Sequence, residues 1–248
     1  MARIQQSVGE GVTRLGTPLH NFYVIEEGAK FTVVDAGCSR EFSVLQSALA
    51  DLGGSIADVE GIVITHAHAD HFGFAKEAQD AGMRLRIHED DVDRATGTFT
   101  GQAISPTELP WWKPGTIKFL FTLVTAGVMK MPHVGAIETV SDGETLDLPG
   151  RPTVIHTPGH TAGHAMFHMA DRKSLFTGDA LVFMNVLGGD PGPQIMQDVF
   201  HSDPAQTSES LERIAGLGDL QVLAGHGDPW TGDIAEAVST ARAGKPSL

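Results

Sequence analysis

The sequence predicts an α/β protein, and three observations predict it. Short β-prone runs alternate with amphipathic helical stretches, turn residues close each run, and the second half loosely repeats the grammar of the first. His20 to Glu26 and Lys30 to Asp35 are β-prone and joined by Glu27-Gly28, which reads as a hairpin. Ser39 can cap the helix that follows, where Phe42, Leu45, Leu49 and Leu52 recur at helical spacing until Gly53-Gly54 ends the run. Ile62 to Thr65 reads as a buried strand that stops at His66. A helix over Gly73 to Ala81 closes on Gly82, and Leu85 to Ile87 returns to strand. The second half offers strands at Thr153 to His156, Ala165 to Met169, Ser174 to Thr177 and Gln221 to Ala224, with helices near Thr207 to Ile214 and Ile234 to Ala243.

Bulk properties narrow the function. The 248 residues fit one domain over 1–248, and 41% hydrophobic with 19% charged residues is the balance of a chain with a sizeable core. A net charge of -14, without any Lys/Arg run, repels phosphate backbones and anionic membranes and so excludes nucleic acid as the expected partner. The lone Cys38 rules out an internal disulfide, and Met1 to His20 carries no apolar leader core, which points to the cytoplasm. Ile117 to Met131 is too short and too interrupted by Lys118 and Lys130 to cross a bilayer. The Gly-, Pro- and Trp-containing stretch at 96–132 reads as an insertion. It is either a lid, with Trp111, Trp112 and Phe119 to Phe121 roofing an apolar pocket, or a homodimer contact.

The chemistry is concentrated at strand ends. Thr65-His66-Ala67-His68-Ala69-Asp70-His71 packs three imidazoles and a carboxylate into one loop, a donor set suited to zinc and also to iron or manganese. One loop cannot enclose a metal pair, so distant donors must be returned to it. Thr157-Pro158-Gly159-His160, Gly178-Asp179 and Gly225-His226-Gly227 each follow a predicted strand, and Val33-Val34-Asp35-Ala36-Gly37 does the same. Each is weak by itself; their ordered recurrence is not.

The order His-x-His-x-Asp-His, then His, Asp and His, resembles the metallo-β-lactamase superfamily from about Phe22 to Asp228, with Asp35 in the place of its first motif. The resemblance implies a four-layer αββα sandwich with two divalent ions at the edge between its sheets. It also implies that His66, His68 and His160 hold one ion, that Asp70, His71 and His226 hold the other, and that Asp179 bridges them. A water shared by two cations is a hydroxide near neutral pH. It would attack a carboxylic ester, lactone or thioester, with Asp70 orienting it and passing a proton to the leaving group. Asp35 is expected to support a ligand imidazole or steady its loop, with Thr65 and Thr161 in similar roles, and His164 to touch substrate or buttress the site. His20, His88, His133, His156, His168 and His201 read as surface or satisfied core residues, with His20 and His133 the two worth replacing.

Asp179 in place of Cys or Ser is similar to the glyoxalase II and lactonase branch rather than to true zinc β-lactamases. The chain ends soon after His226, where glyoxalase II enzymes continue into a helical extension, and Val182 stands where well-known acyl-homoserine lactonases place Tyr. The alternative class is a mononuclear iron oxygenase similar to the persulfide dioxygenases, with β-lactam hydrolysis as a side activity of the first reading.

Overall fold

In the computed structural model the described residues are 4–100, 109, 112, 115–117, 120, 121, 125, 127 and 131–244; Trp111 and Phe119 of the expected pocket roof lie outside them. Two mixed sheets carry the fold. The first runs in spatial order β1 (Ile4–Gly9), β2 (Val12–Gly16), β3 (Asn21–Glu27), β4 (Lys30–Val34), β5 (Val59–Val63), β6 (Leu85–His88) and β7 (Glu138–Val140). Its first four strands are antiparallel, and parallel pairing begins at β4–β5. The second sheet is ordered β12 (Trp230–Asp233), β11 (Asp219–Ala224), β10 (Ser174–Gly178), β9 (Ala165–Met169) and β8 (Thr153–His156), with β10–β11 its parallel pair. Between and after the strands lie helices α1 (Phe42–Asp51), α2 (Ala75–Asp80), α3 (Val92–Thr96), α4 (Pro204–Ser210) and α5 (Ile234–Ala243).

Alternation along the strands builds the layers, because successive side chains point to opposite faces. Phe22 and Val24 of β3 join Leu45 and Leu49 of α1 and Ala75 and Ala78 of α2 in one core. Tyr23 and Ile25 face the other way, into a core shared with Val154, Phe167, Phe176 and Leu223 of the second sheet. Met166, Leu175 and Val222 then pack outward against Ile234, Ala237, Val238 and Ala241 of α5. Helix, sheet, sheet, helix is the predicted αββα order.

Some local expectations are corrected. Ser39 does not cap α1: Glu41 holds the cap position without a side-chain cap bond, and Ser39 Oγ donates to the Gly127 carbonyl instead. The helix expected over Thr207 to Ile214 begins earlier, at Pro204, capped by Asp203, whose side chain accepts from Gln206 N–H. Strands β1, β2, β7 and β12 add to the expected set. β1 is a polar edge strand, and β2 buries Arg14, whose Nε and Nη1 donate to Asn21 and Asp228 at 2.8 and 2.7 Å, so neither shows the apolar alternation that marks a strand.

The topology positions the site. β4–β5 and β10–β11 are parallel pairs, so Asp35, His66, Asp179 and His226 all emerge just beyond the carboxyl ends of their strands, where an open sheet gathers ligands. In β10 the register slips between Phe176 and Gly178, which turns the chain as Asp179 is released.

Candidate metal centre

The structure brings together all seven donors expected from the sequence. His66, His68 and His160 form one convergent group and Asp70, His71 and His226 another; His66, His71 and Asp179 form a third that overlaps both. His160 Nε2 lies 3.0 Å from His68 Nδ1. Asp179 sits between the sets. Its Oδ2 is 3.1 Å from His226 Nε2, 3.6 Å from His160 Nε2 and 3.8 Å from His66 Nε2, while Oδ1 is 3.3 Å from His71 Nε2.

Outer partners aim the rings. The ring nitrogens turned away from the centre meet Thr65 Oγ1 at 3.0 Å for His66, Asp35 Oδ2 at 2.8 Å for His71 and His201 Nδ1 at 3.1 Å for His160; for His226 the partner is the Leu19 carbonyl. Holding one nitrogen fixes the ring's orientation and turns the other nitrogen toward the centre. His201 Nε2 donates to the Met196 carbonyl, so its Nδ1 is left to accept from His160. His201, read from the sequence as surface or satisfied core, is therefore a buried partner of a candidate ligand.

Asp35 takes both expected roles in geometry. It accepts from His71, and its Oδ1 accepts from Thr65 N–H at 2.7 Å. These bonds hold it at φ 66, a region that costs a side-chain-bearing residue about 1–3 kcal/mol. His164 is fully buried: Nε2 accepts from the Asp179 N–H at 3.1 Å and Nδ1 is 2.8 Å from Thr157 Oγ1, so it buttresses the loop of Asp179. Trp112 is 79% exposed, and Leu109 and Leu120 pack with Val182, Val186 and Leu187 beyond Asp179.

Asp91 is a site residue that the sequence did not single out. Fully buried at the start of α3, its carboxylate accepts from Ala67 N–H (2.9 Å), Thr161 Oγ1 (2.8 Å) and Gly163 N–H (3.0 Å), tying the 66–71 loop to the 160–164 loop. Asp91→Ala strands three buried donors at about 1–3 kcal/mol each, not fully additive. We expect urea unfolding of the metal-free protein to show a loss of about 3 kcal/mol; a change inside about 0.5 kcal/mol would remove this tie from the account.

The electrostatics suit cations. Burial, reinforced by neighbouring imidazoles, pushes His66 and His160 well below the ordinary histidine range, and burial pushes His68 down to about 4, which favours the neutral rings that ligate cations. Burial acts the same way on His71, yet Asp179, Asp70 and Asp35 outweigh it and raise His71 well above its usual value; Asp179 and Asp70 likewise raise His226. Burial would raise Asp179, but His226 and His71 hold it far down. Among the described residues, three buried atoms of the cluster, His66 Nε2, His71 Nε2 and Asp179 Oδ1, have no well-formed hydrogen bond, the last two facing each other at 3.3 Å. Bare polar atoms cost about 1–3 kcal/mol each, a penalty that a bound cation relieves.

Close backbone approach makes room for the donors. A Cβ on Gly225 would stand 2.2 Å from Asp179 Oδ1 and 2.5 Å from His71 Cε1, while Gly225 N–H and C=O are already bonded to Gly178 and Asn21. Gly225→Ala should cost about 1–3 kcal/mol at the centre. Dialysis against a chelator should then show metal retained roughly 10- to 100-fold less well than by the parent. Unchanged retention would mean that the loop has slack.

Comparison with known proteins agrees with this geometry. The family model described as metallo-beta-lactamase superfamily matches residues 15–226. The probable metallo-hydrolase YflN of Bacillus subtilis is 26% identical over 247 residues, covering 90% of this chain and 86% of that protein. A hydroxyacylglutathione hydrolase of Ruegeria pomeroyi is 35% identical over 89 residues, about a third of either chain (35% and 31%). Among solved structures, a metallo-beta-lactamase family protein of Thermus thermophilus superposes with TM-score 0.65 at 25% identity, over 94% of this chain and 78% of that one. The chain belongs to the metallo-β-lactamase superfamily, and within it is a metal-dependent hydrolase.

Proposed function

We propose that the chain is a binuclear hydrolase of a carboxylic ester, lactone or thioester. The observation that carries this reading is the convergence of seven donors, two sets of three joined by a third group that adds Asp179, with orphaned buried atoms among them. His66, His68 and His160 would hold one cation and Asp70, His71 and His226 the other, with Asp179 between them. Imidazole and carboxylate donors suit zinc, and they also accept iron or manganese. When bound, such a pair supplies Lewis acidity toward a carbonyl and acidifies a water.

The chain's own residues set the geometry of the reaction. The Asp70 side chain is 15% exposed against 3% for Asp179, and His68 is also partly exposed, so substrate reaches the centre from the side of Asp70. Asp70 Oδ2 lies 3.5 Å from His226 Nε2 and 3.8 Å from His71 Nε2. A carboxylate at the open face can orient the attacking water and carry its proton to the leaving group. The relative named hydroxyacylglutathione hydrolase favours cleavage at an acyl centre.

The net charge of -14 fits a small-molecule substrate and no nucleic acid. Among the described residues no helix is long and apolar enough to cross a membrane. We read 1–248 as one domain whose 96–132 segment walls the site or, through exposed Trp112, Ile117 and Phe121, meets a second copy. The test is a panel of lactones, thioesters, aryl esters and β-lactams offered to zinc-loaded and chelator-treated protein. Cleavage of an ester, lactone or thioester that chelation abolishes is expected. Oxygen consumption with one iron per chain and no hydrolysis would establish the oxygenase instead.

A further inference from the structure

A second buried cluster lies beside the metal centre: His20, Cys38 and Glu41 offer donor atoms within 4.8 Å of one another. Its chemistry differs from that of the centre in one respect. His66, His71 and Asp179 have orphaned atoms, whereas the polar groups here satisfy one another. His20 Nε2 is 2.6 Å from Glu41 Oε2, which also accepts from Cys38 N–H at 2.8 Å, and His20 Nδ1 is 3.1 Å from Thr17 Oγ1. Thr17 Oγ1 accepts from Leu19 N–H, so its own hydrogen is free to reach His20 Nδ1, which leaves Nε2–H to donate to Glu41. Both ring nitrogens of His20 are thus engaged, with Cys38 Sγ lying 3.4 Å from Nε2.

What the cluster does is join two walls. On one side, Ala36 N–H donates to the His71 carbonyl at 2.6 Å, and Gly73 N–H donates to Gly37 at 2.7 Å, so the loop bearing Cys38 and Glu41 is fastened to the segment of His71. On the other side, Leu19, the neighbour of His20, presents the carbonyl that holds His226 Nδ1, and Asn21 Nδ2 donates to the carbonyls of Ala224 and Gly227. His71 and His226 are the two imidazoles of the second donor set, with ring centroids 5.5 Å apart. We propose that the buried His20–Glu41 hydrogen bond is a strut that sets the spacing of His71 and His226, making Glu41 and His20 positioning residues for the second cation but not for the first. The inference rests on the two-cation reading above.

The experiment is a zinc titration of the full chain against a chromophoric chelator, run in parallel on the unsubstituted protein, Glu41→Ala, Glu41→Gln and His20→Ala. Loss of an outer partner typically weakens metal binding roughly 10- to 100-fold. That loss is expected for one of the two ions alone in Glu41→Ala and His20→Ala, while Glu41→Gln, which keeps an acceptor oxygen, regains most of it. Urea unfolding of the metal-free variants provides a separate readout of general damage. Equal weakening of both ions, or of neither, overturns the strut. So does a third equivalent of cobalt(II) with a thiolate charge-transfer band, because Cys38 is the sole thiol and the cluster would then itself be a metal site. If the unsubstituted protein takes fewer than two ions, it is the two-cation reading that fails, and the parallel design separates the two cases.

Discussion

Asp179→Ala should strip both cations and abolish turnover. The residue emerges from β10 between the two donor sets, and its two oxygens together touch His66, His71, His160 and His226. Deleting it removes negative charge from a pocket of buried imidazoles that would otherwise face a pair of dications, and charge balance in such a site is set by the ions themselves. Removing a mere outer partner costs roughly 10- to 100-fold in affinity, so loss of a carboxylate shared by both ions should exceed about 100-fold at each. Hydrolysis should fall by on the order of a thousandfold or more, because mispositioned cations no longer serve the reaction. Metal content after gel filtration and kcat/KM at saturating zinc are the readouts. Full metal and full turnover would show that Asp179 does not join the two sets.

Asp70→Asn should separate holding from chemistry. The amide keeps an oxygen that can face the second cation but can no longer take up a proton at neutral pH. With zinc in excess, both ions should still be retained, KM should stay within a few-fold, and kcat should fall roughly 100- to 10,000-fold, the range general acid–base groups supply. A kcat within twofold of the parent at saturating metal would transfer the proton work to another group. The fall in kcat without a matching rise in KM would locate the loss in the transition state rather than in substrate binding.

Much of the site was legible because its donors sit where sequence reads best. His66, Asp179 and His226 each follow an apolar strand, and Gly159, Gly178 and Gly225 precede His160, Asp179 and His226 because the backbone must pass close to its neighbours. The resemblance then assigned the donors to sets, and the structure gathers them. The hairpin, β8, β9 and α5 were legible from plain periodicity.

What escaped was tertiary. Asp91 and Glu41 look like ordinary surface acids in a helical start, and only the folded chain brings Asp91 to Thr161, 70 positions away, or Glu41 to His20. His201 stands 41 residues from His160, with no spacing to connect them. β2 hid because a buried Arg14 breaks its apolar pattern and is satisfied by Asn21 on the next strand and by Asp228, 214 positions away. Outer partners of a metal centre are single polar residues defined by proximity, and proximity is the quantity a sequence does not display.

Whether His66, His68, Asp70, His71, His160, Asp179 and His226 together hold two cations is decided by counting them. Purified chain loaded with zinc and freed of excess should be analysed by elemental mass spectrometry against amino-acid quantitation. About two zinc ions per chain are expected, tied to hydrolysis that is lost when they are removed. One ion per chain at saturation, with hydrolysis intact, would contradict the two-cation reading.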